Sequence, residues 1–135
     1  MVYSDGGSRG NPGPAASAFI ALSENNALLM KDARCIGSST NNQAEYEALI
    51  AALEFARKVK AEEVVCHLDS ELVTKQLNGE YSVKNPTLRK LWLRVHDLEK
   101  CFKKVSYSNV PRTHPSIQAA DTLVNEVLDK ASRRI

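Results

Sequence analysis

The sequence predicts an α/β fold: a five-stranded mixed sheet with an antiparallel hairpin at one edge, a parallel centre, and helices on both faces. Three observations predict it. Two apolar-rich runs, residues 15–23 and 28–37, flank the turn-like tetrapeptide Glu24-Asn25-Asn26-Ala27, as the arms of an antiparallel hairpin do. From Asn42 onward the apolar spacing changes to a helical period. After that helix, strand-like and helix-like segments alternate, the order expected of parallel crossover units.

Taken in order, residues 1–4 form a short strand, cut off by a loop rich in glycine and proline, "GGSRGNPGP". The hairpin follows. Residues 42–60 form a helix whose apolar positions 44, 48, 51, 52, 55 and 59 share one buried face. Residues 63–68 ("EVVCHL") are a nearly continuous apolar run, as expected of a strand covered on both faces. A short helix over 71–77 ends at Asn78-Gly79. Asn85 as N-cap and Pro86 at the first helical position then open a helix with Leu88, Leu91, Trp92, Val95, Leu98 and Phe102 on one side. Residues 105–110 are the last strand. Residues 117–131 form the final helix, with Ile117, Ala120, Leu123, Val124, Val127, Leu128 and Ala131 inward; its basic end, "KASRR", suits the helix dipole.

Composition sets the class. At 135 residues the chain can bury a substantial core as one domain, and its 43% apolar and 25% charged residues are those of a soluble protein. A net charge of +2 is too small to argue for nucleic acid, so charge position must carry that argument. Cys35, Cys66 and Cys101 are odd in number and widely spaced, which suggests neither a disulfide framework nor a metal knuckle; buried, reduced thiols in a cytoplasmic protein are expected. No apolar run approaches the roughly 18 residues of a membrane helix, and Asp5 interrupts any signal-peptide pattern.

Four carboxylates fall at telling places in this frame. Asp69 directly follows the apolar run, at the carboxyl end of a strand that should be central, where open α/β sheets gather ligands. Asp5 has the equivalent place after the first strand. Glu45 lies in the first turn of its helix above Leu49, Ala52 and Ala56, and Asp121 stands likewise in the last helix before Val124 and Leu128. Taken singly, each acid is explained by the helix dipole or by turn capping. Taken together they are not, because crowded carboxylates repel and raise one another's pKa. Such a cluster is kept when cations neutralise it, and oxygen donors without His or Cys suit hard divalent ions. Two such ions would activate a water on one side and stabilise a leaving oxygen on the other.

Four segments, "SDGGSRGNPGPA", "STNNQAEYEAL", "HLDSELV" and "AADTLVNEVL", occur in this order, and with them the chain resembles type 1 ribonuclease H over nearly its whole length. Each motif is weak alone; the ordered set is strong. The resemblance implies a ribonuclease H-like fold in a single domain over 1–135. It implies an endonuclease that cuts the RNA strand of an RNA/DNA hybrid, leaving 5′-phosphate and 3′-hydroxyl ends. By the same resemblance Asp5, Glu45, Asp69 and Asp121 are catalytic and hold two Mg²⁺ ions, with Mn²⁺ as a possible substitute. Asn11, Asn42 and Gln43 would face the minor groove, where the 2′-hydroxyl distinguishes RNA from DNA, with Glu45 also near a 2′-hydroxyl. Thr40 with Asn42 would hold a phosphate of the DNA strand. Turn and N-cap chemistry is the alternative for Asn11, Asn42 and Thr40, and both roles can coexist. Tyr81 matches an aromatic that packs on a DNA sugar, with a partly buried aromatic as the alternative.

Two departures stand out. The long basic insertion of many members is missing: "NGEYSVKNPTLRK" runs straight through with Lys84, Arg89 and Lys90, so modest affinity or reliance on a partner domain is expected. In "VPRTHPSIQAAD" nine steps separate Arg112 from Asp121, and Pro115 breaks the stretch. His114 in this loop is a candidate helper for the attacking water or for product release, the alternative being an exposed loop histidine. His67 and His96 are expected to be structural. A monomer with no membrane partner is expected. The rivals are another nuclease of the same fold, a non-catalytic hybrid-binding module and a plain α/β interaction domain. Against the module, unneutralised acids would weaken binding to phosphate, and against the interaction domain stand the asparagines around the acids.

Overall fold

The first strand organises the rest. The computed structural model describes residues 1–132, so Arg133 and Arg134 of the expected basic helix end lie outside the described residues. The elements are β1 (Val2–Ser8), β2 (Gly13–Leu22), β3 (Leu28–Ser39), α1 (Asn41–Lys58), β4 (Glu63–Leu68), α2 (Glu71–Leu77), α3 (Pro86–Glu99), β5 (Lys104–Asn109) and α4 (Pro115–Ser132). They build a five-stranded sheet in the order β3-β2-β1-β4-β5. β1, β2 and β3 pair antiparallel, and β1, β4 and β5 pair parallel.

β1 is longer than its apolar stretch suggests. Its pairing with β2 runs from Val2↔Ala21 to Ser8↔Ala15, whereas β4 accompanies it only from Val2↔Cys66 to Ser4↔Leu68. Asp5 therefore lies inside a strand rather than after one. It is the first residue of β1 that has a neighbour on the β2 side only. The hairpin arms extend the strand through glycines that composition alone marks as loop.

One face of the sheet carries α1 and α3 over a core that includes Val2, Phe19, Leu49, Leu53, Cys66, Leu68 and Val95. On the other face Ala120, Val124 and Leu128 of α4 pack on Ala16, Ala18 and Ile20 of β2. Because α4 lies over the antiparallel half, β4 is not covered on both faces. Val64, Cys66 and Leu68 are buried, whereas Glu63 and Val65 face out. The cysteine expectation is also corrected: Cys66 is buried, but Cys35 and Cys101 are exposed, and all three are free.

The helix starts follow their capping chemistry. Thr40 caps α1 in a reciprocal box with Gln43, Ser70 caps α2, and Asn85 caps α3 with Pro86 behind it. With Thr40 as N-cap, Glu45 falls in the second turn of α1, not the first, and Asp121 likewise lies beyond the first turn of α4. The helix dipole is thus no explanation for either acid, since its effect fades within one turn.

Candidate active site

The site forms where β1 outruns β4. Gly6 makes the approach of α1 possible: a Cβ there would stand 2.2 Å from the Ala44 carbonyl carbon and 2.5 Å from the Glu45 nitrogen. With the backbones this close, the Gly6 N–H donates to Glu45 Oε1 at 3.3 Å, which turns the Glu45 carboxylate to the sheet end beside Asp5. Asp69 arrives from the end of β4, which is in register with β1 at Ser4↔Leu68. One oxygen from each of Asp5, Glu45 and Asp69 lies within 4.8 Å of the other two. Asp121 enters from α4 and lines the same open cleft, whose volume is about 530 Å³. Asn125, one turn on, donates to the Asp121 carbonyl at 3.1 Å and to its Oδ2 at 3.4 Å.

The electrostatics are those of a cluster that needs positive charge. Asp5 is pushed up from 3.8 to about 7, first by burial, then by the charge of Asp69, with Asp121 adding to the rise. Burial, and then Asp5 and Asp69, hold Glu45 well above the ordinary carboxylate range. Glu45 Oε2 and Asp69 Oδ1 are buried without a hydrogen-bond partner. Buried polar atoms are normally satisfied, so two orphaned carboxylate oxygens in one cluster fit a bound cation. The donors are all oxygen, which suits Mg²⁺ or Mn²⁺ better than a softer metal. Arg112 brings a cation to the cluster: its Nε lies 3.4 Å from Asp69 Oδ2 while its side chain is 81% exposed.

The other residues singled out from sequence surround this cleft or lie beyond it. Asn42 lines it. Asn11 Oδ1 accepts from the Asn41 N–H at 3.1 Å, which ties the glycine-rich loop to the start of α1. Thr40 Oγ1 accepts from the Gln43 N–H, and Gln43 Oε1 accepts from the Thr40 N–H and the Ser39 hydroxyl. Tyr81 is 48% exposed with Lys75 Nζ 5.0 Å over its ring, and it does not line the cleft. His114 does not line the cleft. Its ring stacks on Tyr3 at 4.8 Å, Tyr3 stacks in turn on His67 at 4.5 Å, and His114 Nδ1 accepts the Ser116 N–H. His96 meets Glu99 through Nδ1.

Sequence reasoning gave no site role to Arg112, Asn41 or Asn125. Asn41 lines the cleft and its Oδ1 accepts from the Ser8 N–H at 2.8 Å and from the Ser8 hydroxyl. Its neighbour Asn42, singled out by the family resemblance, lines the same cleft. For Asn125 the i+4 spacing from Asp121 was the available signal.

Known proteins share this fold. A sequence family described as "Reverse transcriptase-like" matches residues 3–127. The chain is 43% identical to a Ribonuclease HI of Halobacterium salinarum over 96% of its own length and 64% of that protein. It is 40% identical to a bifunctional protein of Mycobacterium tuberculosis over 98% of its own length and 36% of that one. Thus it spans only about a third to two thirds of these relatives. Among solved structures, the ribonuclease H1 of Halobacterium salinarum superposes with a TM-score of 0.91, at 43% identity over 96% of both chains. A compost-derived ribonuclease H1 (LC11), solved in complex with RNA/DNA hybrid, gives 0.88 at 40% identity over 96% of both chains.

Proposed function

The chain belongs to the ribonuclease H family, and on that footing we propose that it is a metal-dependent endoribonuclease. Its reaction is hydrolysis of the RNA strand of RNA/DNA hybrids, with 5′-phosphate and 3′-hydroxyl products. The observation that carries this reading is the carboxylate cluster, three acids from three elements within reach of one ion and a fourth in the same cleft. The hybrid held by a 40%-identical relative supports the substrate class.

Asp5 and Asp69 would share the ions, Glu45 completing one position and Asp121 the other. Two Mg²⁺ or Mn²⁺ ions there would supply Lewis-acid stabilisation of the attacking and leaving oxygens of an in-line displacement. The remaining chemistry belongs to the side chains. The oxygens of Asn11 and Gln43 are already taken by backbone N–H groups, so their amide NH₂ groups remain to donate to the hybrid. In the minor groove those donors suit 2′-hydroxyls. The Thr40 oxygen accepts its cap bond, which leaves the hydroxyl proton for a phosphate of the DNA strand, beside Asn42. Capping and substrate contact are therefore compatible at these residues. Tyr81, half-exposed, would lie under a DNA sugar. Arg112 brings a guanidinium to the cleft that phosphate would enter. The Nδ1 of His114 accepts a backbone N–H, so its neutral ring carries the proton on Nε2, the atom through which it would assist proton movement or product release.

The test is cleavage of end-labelled RNA/DNA hybrid beside double-stranded RNA, single-stranded RNA and double-stranded DNA, in Mg²⁺, Mn²⁺ and EDTA. Cutting of the RNA strand in the hybrid alone, dependent on metal, is expected. Tight hybrid binding with no cutting in either metal would replace this reading with the non-catalytic module.

A further inference from the structure

Three acids of the site come from three elements, and two of the three spacings are fixed by backbone. Asp5 and Asp69 are held by the β1–β4 register at Ser4↔Leu68. Asp5 and Glu45 are held by the contact of Gly6 with Ala44 and Glu45, closed by the Gly6 N–H. The third spacing, Glu45 to Asp69, has no such link. Glu45 rides on α1, and Asp69 leads through the cap Ser70 into α2.

A buried side-chain bond spans that gap. Tyr46, the residue after Glu45, is 0% exposed, and its hydroxyl donates to Gln76 Oε1 of α2 at 2.7 Å. Gln76 is itself buried, and its carbonyl accepts from Trp92 Nε1 of α3 at 3.4 Å. The acceptor thus sits where α1, α2 and α3 meet. At the other end of α2, Ser70 Oγ accepts the Val73 N–H and the Ser70 carbonyl accepts from Thr74 Oγ1, which makes the start of the helix stiff behind Asp69.

We propose that the Tyr46–Gln76 hydrogen bond is a positioning device that sets the Glu45–Asp69 spacing, and with it the affinity of the carboxylate cluster for a divalent ion. The proposal rests on the function proposed above. Tyr46 and Gln76 do not line the acid cleft; they act through the elements that carry the two acids. A polar bond suits this task better than apolar contact because it has a narrow distance and angle range. Losing it leaves a buried amide oxygen unpaired, which the junction relieves by shifting.

The experiment measures Mg²⁺ binding to the metal-free protein by calorimetry, for the parent, Tyr46→Phe, Gln76→Met and the double variant. Tyr46→Phe removes one oxygen and keeps the ring, so the fold persists; Gln76→Met supplies the second route if it does not. Each single variant should weaken Mg²⁺ affinity by about threefold to tenfold, less than the roughly tenfold to hundredfold that direct outer-shell partners of metal ligands contribute, because this bond acts on the ligands through two helices. The double variant should be no weaker than either single one, because both remove the same bond. In hybrid cleavage kcat should fall and the Mg²⁺ requirement rise, with KM for hybrid unchanged. Val95→Ala, a core substitution on α3, is the control for general destabilisation and should leave Mg²⁺ affinity at the parental value. Parental affinity in Tyr46→Phe and Gln76→Met, or a loss matched by Val95→Ala, overturns the positioning role while the function stands. A parent that binds no Mg²⁺ and cuts no hybrid overturns the function first and the positioning role with it.

Discussion

An aspartate pushed from 3.8 to about 7 is held against its own preference, and the protein keeps it there with two further acids at its side. Removing the charge of Asp69 by Asp69→Asn should lower the cleavage rate about a thousandfold or more, as loss of a group that organises transition-state charge does. Hybrid affinity should stay within a few-fold of the parent, because a neutral amide repels phosphate less than a carboxylate does. Single-turnover cleavage and a binding titration in Ca²⁺ separate the two quantities, and parental cutting by this variant would dismiss the assignment of Asp69. His114 invites a milder expectation. Its ring lies on Tyr3, outside the acid cleft, so His114→Ala should slow turnover without abolishing it; unchanged turnover would reduce the histidine to a support for Tyr3 and the start of α4. At this scale the meeting of the acids was legible in the sequence, because the end of β4 fixes where Asp69 stands and the apolar stripes of α1 and α4 fix Glu45 and Asp121, although Asp5 lies inside β1 and not after it. The contact of Arg112 with Asp69 was not, because the path of a loop without periodicity is set by what it finally touches.

Elements were legible where local chemistry chose them. Asn85-Pro86 announced α3, and the limits 63–68 and 71–77 for β4 and α2 were read correctly, because caps and apolar period act within a few residues. Two departures have tertiary causes, at β1 and β4, and a third, at the start of α1, is local. β1 runs through Gly6 and Gly7 to Ser8 because β2 pairs with it that far. α1 starts at Asn41, one residue before the expected Asn42, because the Thr40–Gln43 capping box closes there. β4 is open on one face because α4 lies over β1, β2 and β3, a choice no single strand encodes. The glycines of β1 make a direct test of how the elements meet. A Cβ on Gly6 would collide with the α1 backbone, whereas one on Gly7 would meet Val124 Cγ1 at an ordinary 3.6 Å. Gly6→Ala should therefore cost about 3 kcal/mol, the penalty of forcing an atom into a close-packed contact, and displace Glu45 as well. Gly7→Ala should stay within about 1 kcal/mol of the parent, since the added Cβ also restricts the unfolded chain. Urea denaturation of both variants decides it; equal losses would mean that β1 and α1 do not pack backbone to backbone.

For the molecule as a whole, the acid cluster is a store of repulsion that folding must carry, and its size is readable from pH. Asp5 and Glu45 have raised folded-state pKa values, so the folded state binds their protons more tightly than the unfolded chain does. The sign follows from linkage: between the unfolded value of Asp5, 3.8, and its folded value, about 7, stability falls as pH rises. From that difference the ceiling for Asp5 alone is about 4 kcal/mol, and Glu45 acts in the same direction. His67 opposes the trend. Burial first, and then the charge of His114, lower its pKa from 6.5, so protonation at acid pH destabilises the fold. The informative quantity is therefore the difference between parent and Asp5→Asn, in which the His67 effect cancels. In EDTA the parent should lose several degrees of Tm more than Asp5→Asn between pH 5.5 and pH 8, at about 3–6 °C per kcal/mol for a chain of this size. Mg²⁺ at pH 8 should raise the parental Tm by mass action and remove most of that difference, while giving Asp5→Asn less. Parallel Tm curves for the two proteins in EDTA would mean that the carboxylates are too far apart, or too wet, to repel one another. A cation-neutralised cluster would then lose its physical basis, whatever activity the protein showed.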